Sequence, residues 1–472
     1  MEKKLPQIDQ NFADWYQEVV FQAELADTAP VRGCMVMRPY GYAIWEEIHT
    51  ILDAKIKATG HQNAAFPLLI PLSFIQKEAE HVAGFAPEIA VVTHAGGKEL
   101  EEPLVVRPTS ETVIHYMFAR WLHSWRDLPI KINQWASVVR WEMRPRAFLR
   151  TTEFWWQEGH TAHETYEEAE AEARQMLAEY RDLIENYLAI PVIAGNKSDS
   201  ERFAGADQTL TLEGLMPDGK ALQMCTSHLI SQSFAKAFDM KFQDRNGNVA
   251  YPFLTSWGAT TRLIGGLIMM HGDNKGLILP PRIAPIQVVI VPILVGAEQE
   301  AVLAKAKELR DELAKVCKVK LDDDNQKTPG AKFYHWELRG VPLRIELGPR
   351  DLKQGQAVIV DRLGLAKDVC PLDQLASKVT EKLDLIQKEL FTRAQHKLTS
   401  QWYKREKLTE FSADLETKGG VYQVGWCRSP ECERKLKEVK ATIRCVLPEK
   451  TAATCFACNE PSKGDVIVAR SY

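Results

Sequence analysis

The chain is 472 residues long, 45% hydrophobic and 26% charged, with a formal net charge of −4. That length exceeds what one hydrophobic core organises, so several domains are expected, and the composition excludes disordered and fibrous classes. The best apolar run, Ala284 to Ala297, is too short and proline-interrupted to span a membrane, and the acidic N-terminus lacks the apolar core of a signal peptide, so a cytoplasmic location is expected.

In chain order, three blocks emerge. From about Asn11 to Pro281, stretches such as EPLVVRPT and IKINQWASVVRWEM read as strands. Tyr166 to Ala189 has helical periodicity and stops before Pro191. His271 to Pro285 has the Gly and Pro content of a linker. Between Ile286 and about Lys382, apolar strands (IQVVIVPI, VPLRIELG, GQAVIVDR) alternate with helices, which indicates a small α/β sandwich with a largely parallel sheet. The last block, Leu383 to Tyr472, opens with a basic amphipathic helix and ends in a cysteine cluster. Lys388 to Lys450 holds 14 Lys and Arg against 9 Asp and Glu, while the remainder holds 45 against 54. A basic segment on an acidic body suits a local phosphate grip; a solvated helical surface has the same composition. The expected domains are residues 1–281, 282–382 and 383–472.

Three fragments of the first block concentrate chemistry. Val138 to His160 reads as a strand, a turn at RPRA and a returning strand. Arg140 and Glu142 then alternate with Val139 and Trp141 and face one side. An isolated Arg-x-Glu is equally a cross-strand ion pair. Here Arg150, Glu153, Gln157, Glu158 and His160 follow, and a sheet face so rich in charge is costly unless it lines a polar cleft. Trp141 and Trp155 are expected in the core. Thr255 to Asn274 places Arg262 at the start of an apolar helix, where a guanidinium can meet a phosphate. Arg107 to Leu122 carries Thr109 and Glu111 at a helix start, which also fits a capping box.

In the last block Cys427 and Cys432 (C-x4-C) and Cys455 and Cys458 (C-x2-C) form two close pairs, as tetrahedral structural zinc requires, with Cys445 as a reserve ligand. Cys225 reads as a small buried residue rather than a nucleophile.

Together these fragments resemble class II aminoacyl-tRNA synthetases. RWE at Arg140–Glu142 looks like the arginine strand of motif 2, GATTR at Gly258–Arg262 like motif 3, and Tyr40 to Pro71 like the long helix and proline-bearing strand of motif 1. PLLIP, HVAGFAPEIAVVTHAGG, VVRPTSET, FWWQEGHTAH, TSH and HGDNKGLILPPRIAPIQVVIVPI are similar, in order, to the prolyl-tRNA synthetase family, in its archaeal and eukaryotic-like branch, over essentially the whole chain.

The resemblance implies a class II antiparallel-sheet catalytic domain, an α/β anticodon-binding domain and a small zinc-binding C-terminal domain. It implies a homodimer through the motif 1 region that charges tRNA(Pro) with L-proline, using ATP, Mg2+ and a structural Zn2+. Arg140, Glu142 and Arg262 become the catalytic residues. Thr109, Glu111, Arg140, Trp156, His228 and Ser256 hold proline, with Phe154 as a further wall. Arg140, Glu142, Arg150, Thr151, Glu153, Gln223, Thr226, Thr260 and Arg262 hold ATP, and Phe148 or its neighbour stacks on adenine. Arg144 and Arg146 meet the tRNA acceptor end. The terminal tyrosine folds back towards the active site. Lys332, Glu337, Arg344, Arg350 and Lys353 are offered for anticodon reading, or for plain surface charge.

A pocket reading ring size alone discriminates by ~1–3 kcal/mol per methylene, so misactivation of cysteine and alanine is expected. Only 65 positions separate Glu158 from Gln223, which leaves no room for an inserted editing domain. A catalytically inactive relative is the rival reading, as is a threonyl or seryl specificity. The presence of Arg140, Glu142, Arg262 and Glu111 speaks against the first, and the lack of a His and Cys set near motif 2 against a threonyl enzyme.

Overall fold

The computed structural model describes residues 4–76, 89–364 and 367–472. Residues 81–88, the first part of the HVAGFAPEIAVVTHAGG segment, lie outside them. Among the described residues no helix is long and apolar enough to cross a membrane.

The molecule is organised on an eleven-stranded sheet. Its order runs Gln62–Asn63, Ile130–Val139, Glu153–His163, Phe253–Thr260, Ala221–Ser231, Gln208–Leu215 and Ile193–Asn196. It then continues through Thr442–Val446, Gly464–Ala469, Val421–Trp426 and Trp402–Lys404. Neighbours are antiparallel except for the outermost pair at each end. The C-terminal block therefore extends the sheet of the first block edge to edge, joined where Val446 opposes Asn196.

One face of the first half carries the Tyr166–Asp182 helix. Thr165 and Glu168 close a capping box at its start, and Ala169, Ala173, Met176 and Tyr180 are buried at helical spacing. The Ser227 hydroxyl donates to Ala173 O at 2.8 Å and ties the helix to the sheet. The helix was expected to reach Ala189; its α-helical part ends at Asp182 and a wider π-type turn takes it to Tyr187. Gly159 is required on this face, because a Cβ there would sit 2.1 Å from the buried Trp257 ring. The opposite face is left to a cleft.

The middle block is a five-stranded sheet in the order Val319–Leu321, Val288–Pro292, Leu343–Leu347, Gln356–Asp361, Asp368–Pro371. The first three strands are parallel and the last two antiparallel, so the sheet is mixed rather than largely parallel. Parallel neighbours need a crossover of roughly a dozen residues or more, and the links after Leu347 and Asp361 are shorter than that. The expected linker is pinned rather than loose: Leu277 and Leu279 N–H groups donate to Leu338 O and Gly340 O, and Arg362 pairs with Asp273 at 2.6 Å. Helix Leu375–Ser400 belongs to two bodies. Val379, Leu383, Ile386 and Leu390 pack into the middle core, while Leu398 packs against Val421 and Ile467 of the C-terminal sheet.

Candidate active site

The register of the central sheet builds the floor of the cleft. Thr209, His228, Ser256, His160 and Ile132 stand opposite one another across five strands. Two residues along, on the same face, stand Thr211, Thr226, Gly258, Glu158 and Gln134. One more step brings Thr260 opposite Trp156. Directly paired residues as distant in the chain as Trp156 and Thr260 are thereby fixed side by side, around a cavity of about 370 Å³.

The wall above this floor is the 140–152 connection, and here the sequence expectation is corrected. The strand ends at Val139 rather than continuing through Met143, and its partner begins only at Glu153. The Arg140 N–H still reaches Thr152 O at 2.8 Å, but Pro145 has no N–H to pair, and Phe148 adopts φ +61°, so the ladder opens into a loop. Arg140 and Glu142 share the cleft because of that loop, not by strand alternation. Arg140 Nε donates to Pro108 O at 2.9 Å, and its guanidinium lies 5.5 Å from the Phe154 and Trp156 rings. Glu142 is fixed by Arg150 Nε at 3.0 Å and by the Arg144 N–H at 2.8 Å. Trp141 and Trp155, expected in the core, are 47% and 41% exposed. The first lies on the loop and the second points opposite to Trp156, away from the cleft. Arg146 stacks over the Tyr472 ring at 5.9 Å, so the chain end does return to this loop.

Arg262 opens its helix at the side of the cleft and hands its donors to carbonyls, Leu149 O at 3.3 Å and Gln223 O at 3.4 Å. Desolvation, with Arg140 and Arg150 nearby, lowers its pKa to about 10. Gln223, Thr226, Thr260, Thr151 and Phe148 line the same end. Cys225 is a buried thiol pushed up by desolvation, as expected of an inert residue. Glu153 does not join the others: it is exposed and outside the cleft lining.

The other end is anionic. Glu111 is 3% exposed, accepts from the Thr109 hydroxyl, and has its Oε1 3.5 Å from His160 Nε2. The capping box read from the sequence is not made; the Ser110 side chain at the N-cap makes no capping bond to the helix, and Glu111 turns into the cleft. Beside it Glu158 accepts from Ser110 Oγ and from Gln134 Nε2 at 2.7 Å. Burial raises the Glu158 pKa, and the Glu111 charge adds to the rise. For His160 burial acts downward, but the hydrogen bond to Glu111 and both carboxylate charges outweigh it and raise the pKa. His228 is different: desolvation holds it to about 4, and Thr209 and Thr226 hydroxyls lie 3.0 and 3.1 Å from its two nitrogens. The neutral ring stacks on Phe203 at 4.5 Å. Ser256 Oγ and Trp156 Nε1 are buried in the cleft wall with no hydrogen-bond partner among the described residues, so both are available to a ligand.

Glu158 and His160 are among the charges that marked the fragment in the sequence, yet they were not assigned a role; Glu201, Phe203 and Thr209 carry no motif and were missed. Among the anticodon candidates, Lys332 is buried, its ammonium on Asp322 O at 2.8 Å, which removes it from the surface.

The four C-terminal thiols converge. Cys427 Sγ lies 3.7 Å from Cys432 Sγ and 3.8 Å from Cys458 Sγ, and Cys455 completes a group whose sulfurs all lie within 4.8 Å. Four sulfurs about 2.3 Å from a tetrahedral zinc stand about 3.8 Å apart, so the cluster fits that metal. Burial pushes the Cys427 and Cys432 thiols up, whereas backbone N–H groups of Ala457 and Cys458 overcome burial and bring Cys455 down to about 7. Four thiolates packed this closely repel one another, and a cation among them offsets that repulsion. Cys445 is buried in the Thr442–Val446 strand and is not part of the group.

An antiparallel sheet carrying a motif 2 loop, a motif 3 helix and paired arginines over one cleft defines a class II aminoacyl-tRNA synthetase. Family comparison agrees: residues 92–271 match the class II tRNA synthetase core domain (G, H, P, S and T), 287–382 an anticodon binding domain, and 408–472 the prolyl-tRNA synthetase C-terminal domain. The proline–tRNA ligase of Acetoanaerobium sticklandii is 52% identical, and that of Alkaliphilus oremlandii 51%, each over 100% of this chain and 98% of its own. The crystal structure of prolyl-tRNA synthetase from Cryptosporidium parvum, complexed with halofuginone and AMPPNP, superposes with a TM-score of 0.94 at 39% identity, covering 99% of both chains. The chain belongs to the prolyl-tRNA synthetase family. It is a ligase that charges tRNA(Pro) with proline at the expense of ATP.

Proposed function

We propose that the two ends of the cleft divide the reaction between them. The cationic end, Arg140, Arg150 and Arg262, takes the ATP phosphates. The anionic end, Glu111 with Thr109, takes the secondary ammonium of proline. The observation that carries this division is the burial of Glu111, Glu158 and His160 on one side of a cleft whose other side holds the arginines. Proline's carboxylate then attacks the α-phosphorus, the bond to the bridging oxygen breaks, and pyrophosphate leaves with the electron pair. The terminal ribose hydroxyl of tRNA next attacks the prolyl carbonyl and releases AMP. Neither step needs a protein nucleophile; both need neutralised charge and alignment. The planar fork of Arg140 suits a bidentate grip on the α-phosphate and the proline carboxylate at once.

Trp156, Phe154, His228 and Ser256 wall the proline ring, and a neutral His228 avoids repelling the ammonium. Glu142, Thr151, Gln223, Thr226 and Thr260 hold the rest of ATP, with Glu142 and Gln223 on the side where Mg2+ would accompany the phosphates. Arg144 is left exposed for the tRNA end. Zinc in the four-cysteine cluster supplies structural cross-linking of two turns. The division into a catalytic unit (1–281), an anticodon unit (282–382) and a C-terminal unit (383–472) belongs to this reading, the last junction lying inside a shared helix. Exposed Tyr42 on the motif 1 helix, in edge contact with exposed Trp155, supplies apolar surface for a homodimer. The reading places the enzyme in the cytoplasm.

The interval between motifs 2 and 3 is filled by the capped helix and by strands of the sheet itself, which supports the lack of an inserted editing domain. A rigid apolar wall that measures size alone supports misactivation of cysteine and alanine. ATP–pyrophosphate exchange with proline, threonine, serine, glycine, cysteine and alanine tests the reading: exchange is expected with proline, and weakly with cysteine and alanine. Equal exchange with threonine or serine refutes the assignment of the cleft.

A further inference from the structure

The amino-acid end of the cleft is closed by residues 198–207, the loop between strands Ile193–Asn196 and Gln208–Leu215. Glu201 and Phe203 of this loop line the cleft. Phe203 stacks on His228, and its N–H donates to Thr209 Oγ1 at 3.0 Å, the hydroxyl that also meets His228 Nδ1. The far shoulder of the loop is held from another part of the chain. Glu433, in the short helix Pro430–Arg434, accepts from Ser198 Oγ at 2.5 Å and Ser200 Oγ at 2.7 Å through one carboxylate oxygen.

Within the loop the Glu201 N–H donates to Ser198 O at 3.1 Å, and the Arg202 guanidinium meets Asp199 at 3.7 Å and Asp207 O at 2.9 Å. A second cavity of about 260 Å³ beside it is lined by Ser198, Asp199 and Arg202 of the loop and by Trp426 and Arg428 of the C-terminal unit. The stem is anchored: Val446 pairs with Asn196, and the Lys197 ammonium contacts Arg444 O at 3.0 Å. Between anchored stem and stacked tip, the two serine hydroxyls tie the loop to one charged acceptor on the C-terminal unit.

We propose that Glu433 is a positioning residue for the proline pocket, through which the C-terminal unit sets the fit of the amino acid by strapping Ser198 and Ser200. The proposal rests on assigning the Phe203–His228 end of the cleft to proline. Its signature is therefore a selective change in KM for proline, which general weakening of the fold does not produce.

Steady-state ATP–pyrophosphate exchange on the full-length enzyme tests it. Glu433→Ala is expected to raise KM for proline about tenfold, with kcat and KM for ATP within about twofold of the parent. Glu433→Gln, whose amide oxygen still accepts from both serines, restores KM to within about twofold. Ser200→Ala is exposed and leaves the fold intact; alone it raises KM about threefold, and added to Glu433→Ala it changes nothing further. Zinc per chain stays that of the parent, since Glu433 is not one of the four thiols. An unchanged KM for proline in both Glu433→Ala and Ser200→Ala overturns the strap. So does an equal rise for both substrates, or loss of zinc. A rise in KM for ATP alone instead overturns the assignment of this end of the cleft to proline.

Discussion

Two of the regions of this enzyme that bury cations treat them differently. Where the C-terminal sheet meets the catalytic sheet, Glu213 receives Lys197 at 2.7 Å and Arg444 at 2.9 Å, with all three side chains almost fully buried. Arg444 Nε adds a third bond at 3.0 Å and Thr211 a fourth at 2.8 Å, so the cluster is complete within the protein. In the cleft, Arg262 donates to two carbonyls and has no carboxylate within ion-pair distance among the described residues. Removing a charge from water without an opposite charge is unfavourable. A cation left with dipoles alone marks a place that an anionic ligand completes, while a trio that satisfies itself marks structure. Both kinds of arginine look identical in the sequence.

The largest expected effect falls on the self-satisfied trio. Glu213→Ala strands two buried cations and is expected to lower unfolding free energy by about 3–5 kcal/mol in urea titration. Replacing Lys197, Glu213 and Arg444 together by apolar residues of similar size should cost far less. If the single and triple replacements cost the same, the trio is not one unit.

Arg140→Lys comes next: about 10²–10³-fold lower kcat/KM in pyrophosphate exchange, with an unchanged urea midpoint, because an ammonium cannot bridge two anions as a fork does. A parallel drop in stability would erase the distinction between the two regions.

A third expectation concerns pH. His163, His228 and His271 are held by burial to about 4, against 6.5 unfolded. Below 6.5 the unfolded chain binds protons that the native chain refuses, so their contribution is fully present above 6.5 and is lost as pH falls towards about 4. At pH 5 each histidine costs about 2 kcal/mol relative to neutral pH. His271→Gln, which can still donate to Leu188 O, should flatten the loss of stability between pH 6.5 and 5 by that amount.

The smallest effect is expected for Glu153→Gln, less than about twofold in kcat/KM, since the side chain is exposed and outside the cleft. A large loss would return Glu153 to the ATP site that the sequence reading gave it.

Much of the cleft was legible beforehand because its residues sit in short local signatures: an Arg and a Glu two apart, an Arg opening an apolar helix, a Thr and Glu at a helix start. The C-x4-C and C-x2-C pairs were legible for the same reason, as metal geometry constrains spacing. Trp141 and Trp155 were misplaced because an indole has the same hydrophobicity in a core and on an exposed face. Glu201, Phe203 and Thr209 were invisible because their proximity to His228 depends on a loop and a register, neither of which has a local pattern.

By itself, then, the sequence determined the order of the elements, the residue types the chemistry needs and the family they belong to, since periodicity, turn residues and short motifs act over a few neighbours. Tertiary structure alone decided which strands stand beside which, that the C-terminal block continues the catalytic sheet, which arginines keep a carboxylate, and that Glu433 reaches Ser198 across 235 positions. Those outcomes depend on packing between distant segments, and no short stretch of chain encodes them.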